Sequence, residues 1–374
     1  MKTKFFSLLI LTYSLSLNAQ LESRREIKIP DIPGYLTLKC DFHMHTVFSD
    51  GLVWPTLRVD EAWREGLDVI AISDHIEYHP HEDDIPVNFG RTFEIAKPRA
   101  EMYGIIIIQA AEITRQMPPG HYNCLFLEDV AELDQPDFWE AINAAKNQGA
   151  FIMWNHPGWR QEDEIPIWYD DHTKLYEQGY MHGMEIVNGR SYYPLALEWC
   201  VEKNITIFGN TDVHSSIGMD YDLSLNDQRP ITLVFATDRS KEAVKEALFD
   251  GRTVVYSGDM LIGKEEFLKP LFNRSVELVN TDLDISSGGT FNIQIQNKSE
   301  IPYYLVSTEQ PEGLEYPEKI TLYAERTVMM RLRISRGTAS NVSGIRLPYT
   351  VKNLLTNRDT GLPVELVIST PAMK

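Results

Sequence analysis

The chain has 374 residues, 43% of them hydrophobic and 24% charged, which is ordinary globular material with length enough for two domains. Its formal net charge of −19 argues against a nucleic-acid scaffold as partner, because phosphate backbones are held by Lys and Arg. The three cysteines, Cys40, Cys124 and Cys200, form no disulfide framework; Cys40 and Cys124 lie in apolar runs and read as small core residues.

The first residues, "MKTKFFSLLILTYSLSLNAQ", put a basic head (Lys2, Lys4) before an apolar run over 5–17 that is too short to span a bilayer. This predicts a signal peptide over 1–19, cut after Ala19, and a periplasmic or secreted protein; an uncleaved anchor or a buried strand is the alternative. No Cys lies in the segment, so a lipid-modified N-terminus is not expected, and no other run reaches membrane-spanning length.

From about residue 35 to 258, apolar strand-like runs alternate with helix-like stretches. The runs are "YLTLKC", "LDVIAIS", "GIIIIQAA", "YNCLFL", "GAFIMW", "GMEIVN", "ITIFGN" and "ITLVFA". The stretches between them include "PTLRVDEAWREG", "DFWEAINAAKNQG", "YYPLALEWCVEKN" and "RSKEAVKEALFDG". Alternation of this kind predicts an α/β domain with a largely parallel sheet, its strands buried on both faces. Past about residue 270, "FNIQIQ", "TVMMRLRIS" and "LPVELVIS" alternate apolar and polar residues between Asn, Gly, Pro and Ser clusters, which predicts an antiparallel β-sandwich. "DMLIGKEEFLKPLFN" reads as the link, giving a barrel over 20–265 and a sandwich over 271–374.

Titratable residues gather where the apolar runs end. "KCDFHMHTVFSDG" holds Asp41, His43 and His45 at alternating positions, which in a strand point the same way, with Asp50 beyond. Asp74 and His75 follow "LDVIAIS", Glu112 closes "GIIIIQAA", His156 follows "GAFIMW", and Asp212 and His214 follow "ITIFGN". His121 opens the next run after the loop "ITRQMPPG". In barrel-type α/β folds such strand ends meet on one face. Unpaired carboxylates and imidazoles converging there call for neutralisation, and both are metal ligands. Six histidines and three carboxylates are too many for one ion and suggest two or three.

The ordered motifs "DFHMH", "SDH", "AEI", "NHP" and "TDVH" resemble the PHP (polymerase and histidinol phosphatase) metal-dependent phosphoesterases over about residues 36–256, above all exported two-domain members regarded as phosphodiesterases. The resemblance implies a distorted (β/α)7 barrel followed by a small Ig-like sandwich, and a trinuclear site. One ion would take His43, His45, Glu112 and Asp212. Glu112 would bridge to a second held by His121 and His156, and Asp50, His75 and His214 would take the third. Some members carry His near the Asp50 position, so this variant puts a carboxylate there. The ions are two to three divalent transition metals, Mn, Zn or Fe, for which mixed imidazole and carboxylate shells are suited.

The remaining polar residues take supporting parts. Asp41, Asp74 and Glu185 are expected behind the ligands, where carboxylates orient metal-bound imidazoles. His79 and His81 read as lid or surface residues, and His172 and His182 as structural ones. Lys39 shares the parity of Asp41 and is expected to point into the barrel. Arg115, Arg160 and Arg190 follow strand ends and are the candidates for holding phosphate, against ordinary surface ion pairs; Arg91, in a loop, is a weaker one. The expected reaction is hydrolysis of a small phosphate ester, a diester first, by a metal-bridged hydroxide, with Glu112, Asp212 and Arg115 in catalytic roles. The alternatives are a monoesterase of the histidinol-phosphatase type and a non-catalytic metal-dependent binding protein. No GxSxG nucleophile motif is present.

Overall fold

The computed structural model describes residues 23–222, 227–279, 288–336 and 344–369; the expected signal peptide, 1–19, lies outside them. The first region runs through β1 (Leu36–Asp41), α1 (Pro55–Arg64), β2 (Val69–Ile72), α2 (Arg91–Tyr103), β3 (Ile106–Ile113), β4 (Tyr122–Leu125), α3 (Phe138–Asn147) and β5 (Phe151–Trp154). It continues through α4 (Asp170–Glu177), β6 (Gly183–Asn188), the short β7 (Ser191–Tyr192), α5 (Pro194–Lys203), β8 (Thr206–Asn210), α6 (Ile217–Asp220), β9 (Ile231–Ala236), α7 (Lys241–Phe249) and β10 (Thr253–Ser257). Local chemistry sets the helix starts: α1 has Pro at its first position, Asp137 accepts from Trp139 N and Glu140 N to cap α3, and Ser240 caps α7 through Ala243 N.

The pairs β1–β2, β2–β3, β5–β6 and β6–β8 are parallel. β4 and β9 depart from the parallel expectation: β4 runs antiparallel to β3 and β5, and β9 antiparallel to β1. The connection 114–121 is too short for a crossover helix, so the chain returns as a hairpin. That reversal places His121, at the start of β4, on the same rim as residues at the ends of parallel strands. β8 meets β9 and β10 through threonine hydroxyls: Thr232 Oγ1 donates to Gly209 O at 3.0 Å and Thr253 Oγ1 to Ile207 O at 2.9 Å. Leu38, Cys40, Phe42, Val69, Ile108, Leu125, Phe151 and Phe208 fill the interior, and Ala243, Val244, Ala247 and Leu248 of α7 join the same cluster.

Four helices, among them the one-turn α6, fall where no helical stretch was expected. Pro98 interrupts the pattern of α2, so Arg91, expected in a loop, begins this helix and pairs with Glu94 at 2.8 Å. α4 is short. The expected link folds into β11 (Met260–Gly263) and α8 (Glu265–Ser275), which buries Phe267, Leu268, Leu271 and Phe272, so the expected break at 265–271 falls within one helix.

The C-terminal region consists of β12 (Val276–Leu278), β13 (Gly289–Asn297), β14 (Tyr303–Ser307), β15 (Leu314–Glu315), β16 (Lys319–Leu322), β17 (Thr327–Ile334), β18 (Gly344–Asn357) and β19 (Thr360–Ser369). One sheet is β12-β13-β17-β15; the other combines β16, β14, β18 and β19. Burial alternates along β17, as its sequence predicts. The second sheet does not stop at the domain edge: β18 pairs in parallel with β11, Leu261 opposite Leu354 and Ile262 opposite Leu355. One apolar cluster contains Ile70, Leu233 and Phe235 of the barrel together with Leu347, Tyr349 and Val351 of the sandwich.

Candidate metal centre

The barrel rim is sewn together by the ligand segments themselves. His45 N donates to Val213 O at 3.0 Å and Asp212 N to His43 O at 2.8 Å, joining the "HMH" segment to the "TDVH" segment. Bridges Met44–Val213 and His75–Glu112 extend the pairing beyond the strand ends. His156 and Asp212 both hold positive φ, +28° and +53°, a conformation that costs a non-glycine residue energy and that here turns each side chain inward at a strand end. Asp50 arrives by a tight loop: Gly51 N donates to Thr46 O, and a Cβ on Gly51 would stand 2.6 Å from the His45 carbonyl carbon, so only glycine fits this close return.

All nine expected ligands meet in one cluster. Nε2 of His43 and Nε2 of His45 lie 3.1 Å apart, and they stand 3.1 and 3.0 Å from Asp212 Oδ1. Glu112 is central, with Oε2 2.9 Å from His75 Nδ1 and Oε1 3.1 Å from His121 Nδ1 and 3.6 Å from His156 Nε2. Asp50 Oδ1 is 3.2 Å from His214 Nε2 and 3.5 Å from His75 Nε2. Glu112 Oε2, Asp212 Oδ1 and His156 Nδ1 are nevertheless buried without a hydrogen bond. Buried carboxylate oxygens left in this state are costly, and a cation among the facing nitrogens relieves them. The donor set therefore fits metal ions.

Electrostatics shows the same need for balancing charge. Burial works against ionisation of Glu112, but the His75, His43 and His121 rings hold its carboxyl well below the usual range. Burial likewise opposes Asp212 and Asp50, which are held low by His43 and His45, and by His214 and His75, respectively. His75 resists its burial and is held up at about 10 by Glu112 and Asp50, whereas His45, buried and beside His75, is pushed down.

The donors fall into four overlapping groups that could each hold an ion: His45, Asp50, His75 and His214; His43, His45 and Asp212; His43, Glu112 and His156; and His75, Glu112 and His121. The expected trio of Asp50, His75 and His214 recurs, joined by His45. His121 and His156, expected to share an ion with Glu112, both face Glu112 Oε1, at 3.1 and 3.6 Å, while the closest donor groups join His156 with His43 and His121 with His75. Glu112 belongs to both groups: its Oε1 faces His121 and His156, and its Oε2 faces His43, His45 and His75.

Supporting groups come from behind. Glu185 Oε1 accepts from His43 Nδ1 at 2.8 Å and Oε2 from His156 N at 2.8 Å, fixing one ring and one backbone turn. Asp74 accepts from Thr46 N at 2.6 Å and Ser49 Oγ at 2.9 Å, holding the loop that carries Asp50. Asp41 does not point with His43 and His45. Its carboxylate binds Thr211 Oγ1 at 2.5 Å and Arg229, because the extended alternation ends with β1 at Asp41. Lys39 does not enter the barrel either: Nζ donates to Thr37 O at 2.7 Å and lines a basal cavity with Arg24, Arg25 and Asp68.

Arg58 escaped the sequence reading. This α1 residue is 1% exposed. It donates to the carbonyls of His45 (2.9 Å), Val213 (3.0 Å), His214 (2.8 Å) and Ser215 (2.7 Å), and to Glu61 Oε2 at 2.8 Å. Glu61 Oε1 accepts from Ser216 Oγ and Ile217 N, both at 2.9 Å. One Arg–Glu pair thus clamps two ligand-bearing segments. The available signal was an Arg and a Glu three residues apart on the buried face of an amphipathic helix, a spacing that surface ion pairs share.

The cluster opens into a cleft of about 660 Å³ whose wall includes Arg160. Arg160 stacks on Trp159 at 4.3 Å and donates to Gln116 Oε1 at 3.0 Å. Arg115 and Arg190 do not line it. Arg115 pairs with Glu77 and donates to Gln135 O at 2.8 Å, and Arg190 is engaged by Asp227 at 2.6 Å and lies over Tyr221. Their charges are already satisfied by protein carboxylates. His79 holds the carbonyls of Phe48 and Ile76, and His172 stacks on Trp154 at 3.8 Å while bonding Pro119 O; burial pushes His172 down to about 4. Burial also pushes His182, which accepts from Ile152 N at 3.0 Å, down to about 4.

A barrel whose rim gathers histidines and carboxylates about a bridging Glu, with an open cleft above, defines a metal-dependent hydrolase architecture. A two-domain protein from Bacteroides vulgatus, described as containing a predicted PHP-like metal-dependent phosphoesterase, is 41% identical over 93% of this chain and 99% of its own, with a TM-score of 0.88. This chain belongs to that family of two-domain PHP-like phosphoesterases. The profile of an Ig-like domain matches residues 276–367. A candidate metal-dependent phosphoesterase from Bifidobacterium adolescentis is 18% identical over 47% of this chain and 87% of its own (TM-score 0.37). An amidohydrolase from Chromobacterium violaceum is 14% identical over 48% and 89% (TM-score 0.38). The comparison with curated proteins gives no match. No helix among the described residues is long and apolar enough to cross a membrane.

Proposed function

We propose that the protein hydrolyses small phosphate esters, diesters before monoesters, at a centre of two or three divalent metals held by His43, His45, Asp50, His75, Glu112, His121, His156, Asp212 and His214. The observation that carries this reading is the pair of buried, unbonded oxygens, Glu112 Oε2 and Asp212 Oδ1, set among ring nitrogens at the floor of an open cleft. When bound, the ions supply an activated water and polarise phosphoryl oxygens. The protein's own contribution is positional. Glu112 shares its two oxygens between donor groups, Glu185 fixes His43, and Arg160 stands on the wall to hold a non-bridging oxygen. A diester presents one negative charge, which suits a cleft whose one Arg or Lys is Arg160. Export by residues 1–19 would put the substrates outside the cytoplasm.

The test is turnover of bis(p-nitrophenyl) phosphate and p-nitrophenyl phosphate by protein loaded with Mn, Zn or Fe, beside elemental analysis. Diester turnover above monoester turnover is expected. Monoester turnover alone makes it a phosphatase, and none at full metal loading makes it a binding protein.

A further inference from the structure

Beyond the metal ligands the cleft wall is chemically uneven. Arg160 is its one Arg or Lys, while Glu77 and Glu164 both line it. Glu77 is neutralised by Arg115. Glu164 pairs with no cation among the described residues and accepts only from Ser191 Oγ, at 2.7 Å. A phosphate reaching the metals is served by Arg160, but a second phosphate farther out would meet the charge of Glu164 with no cation left to offset it.

The same wall offers a flat ring and hydroxyl partners. Trp159 stands 4.5 Å from the His121 ring and 5.6 Å from the His156 ring, at the edge of the ligand cluster. Successive turns hold this segment: Trp159 N donates to His156 O at 2.8 Å, Gln161 N to Gly158 O at 3.0 Å, and Glu164 N to Gln161 O at 3.2 Å. A Cβ at Gly158 would fall 2.1 Å from Glu164 O, so the return of Glu164 depends on that glycine. The wall is therefore shaped before a substrate arrives. Carboxylate, hydroxyl and amide groups at Glu164, Ser191 and Asn188 match the hydroxyls of a polyol, and an indole face packs against a sugar or cyclitol ring.

Resting on the phosphoesterase reading above, we propose that the 158–164 wall is an alcohol subsite. It takes the hydroxyl-rich leaving group of a singly charged phosphodiester, a polyol or sugar, and turns away substrates that carry a second phosphate. Hydrolysis adds water across the P–O bond: the hydroxyl oxygen joins phosphorus, the polyol leaves with the remaining proton, and a monoester stays behind.

The test compares glycerophosphoinositol with glycerophosphoinositol 4-phosphate, using bis(p-nitrophenyl) phosphate as a reporter of the metal centre alone. Wild-type kcat/KM should favour the first over its 4-phosphate by tenfold or more. Glu164→Gln should lower kcat/KM for glycerophosphoinositol about tenfold more than for the nitrophenyl diester, and Glu164→Lys should narrow the preference against the 4-phosphate about tenfold. Calorimetry on chelator-treated protein, where no turnover occurs, should show glycerophosphoinositol binding more tightly than its 4-phosphate. Equal use and equal binding of the two inositol compounds, or variants that alter all three substrates alike, overturn the subsite while the nitrophenyl diester still reports a working phosphoesterase. No turnover of the nitrophenyl diester at full metal content overturns the underlying reading and the subsite with it.

Discussion

The two ends of the barrel use charge in opposite ways. At the base, cations and carboxylates pair off: Arg24 with Asp68 at 3.1 Å, Arg25 with Glu300 at 2.7 Å, and Lys298 with Glu277. At the rim, carboxylates face imidazoles, and two buried oxygens have no hydrogen bond at all. Paired charge is complete within the chain and ties elements together. Buried oxygens without a hydrogen bond are tolerated where something from outside completes them. The contrast separates a face that holds the molecule together from one that works.

The strongest challenge to this contrast is Glu112→Gln. Neutralising the central carboxylate should remove at least one ion per chain and lower kcat/KM by about 10³ or more, as expected when a shared metal ligand is lost. Arg115→Ala should change kcat/KM far less, because Arg115 serves Glu77 and not the cleft. Near-normal turnover by fully loaded Glu112→Gln would remove Glu112 from the centre.

Next comes Arg58→Gln, which breaks the clamp and leaves Glu61 buried without its cation. Loss of one partner of a buried pair costs about 3–5 kcal/mol, so denaturant unfolding should register a large drop in stability. Because the clamp holds the carbonyls of His45 and His214, metal affinity should fall about tenfold as well. An unfolding curve and metal affinity equal to wild type would show the clamp to be dispensable.

The rim should also exchange protons for metal. Against its burial, His75 is held at about 10 by Glu112 and Asp50, so without metal its ring is charged at neutral pH. An ion that takes this ring must expel the proton, and affinity for Mn²⁺ should rise as pH increases from about 6 to about 8. Calorimetry in buffers of different ionisation enthalpy would reveal the release; binding heats independent of buffer would exclude it. The smallest effect is expected at the base. Arg25→Met removes a partly exposed pair and should cost no more than about 1 kcal/mol, with kcat/KM unchanged. A larger fall in activity than in stability would mean that the two ends are coupled.

The rim was readable because chemistry concentrates there in short, ordered motifs, and strand ends in such a fold have one place to meet. His43, His75, Glu112 and Asp212 needed only that rule. What lay hidden depended on three-dimensional accounting. Strand parity stops at Asp41, which misdirected both Asp41 and Lys39. Arg115 and Arg190 follow strand ends just as Arg160 does, yet a nearby Glu77 and Asp227 engage the first two, and no local pattern reveals such partners. Pro98 disguised α2, and the reversal of β4 that brings His121 to the rim broke the parallel expectation.

The strand pair β11–β18 has a consequence for how such proteins can be rebuilt. Cutting the chain at residue 271 would split α8 and strip a partner strand from β11, leaving an unpaired edge beside Leu261 and Ile262, which are 1% and 0% exposed in the intact chain. A bare apolar edge is a template for pairing with other chains, so the shortened protein should associate with copies of itself. The two regions are thus poor interchangeable parts: a graft that moved either one to a new partner would have to bring a strand to replace the one left behind.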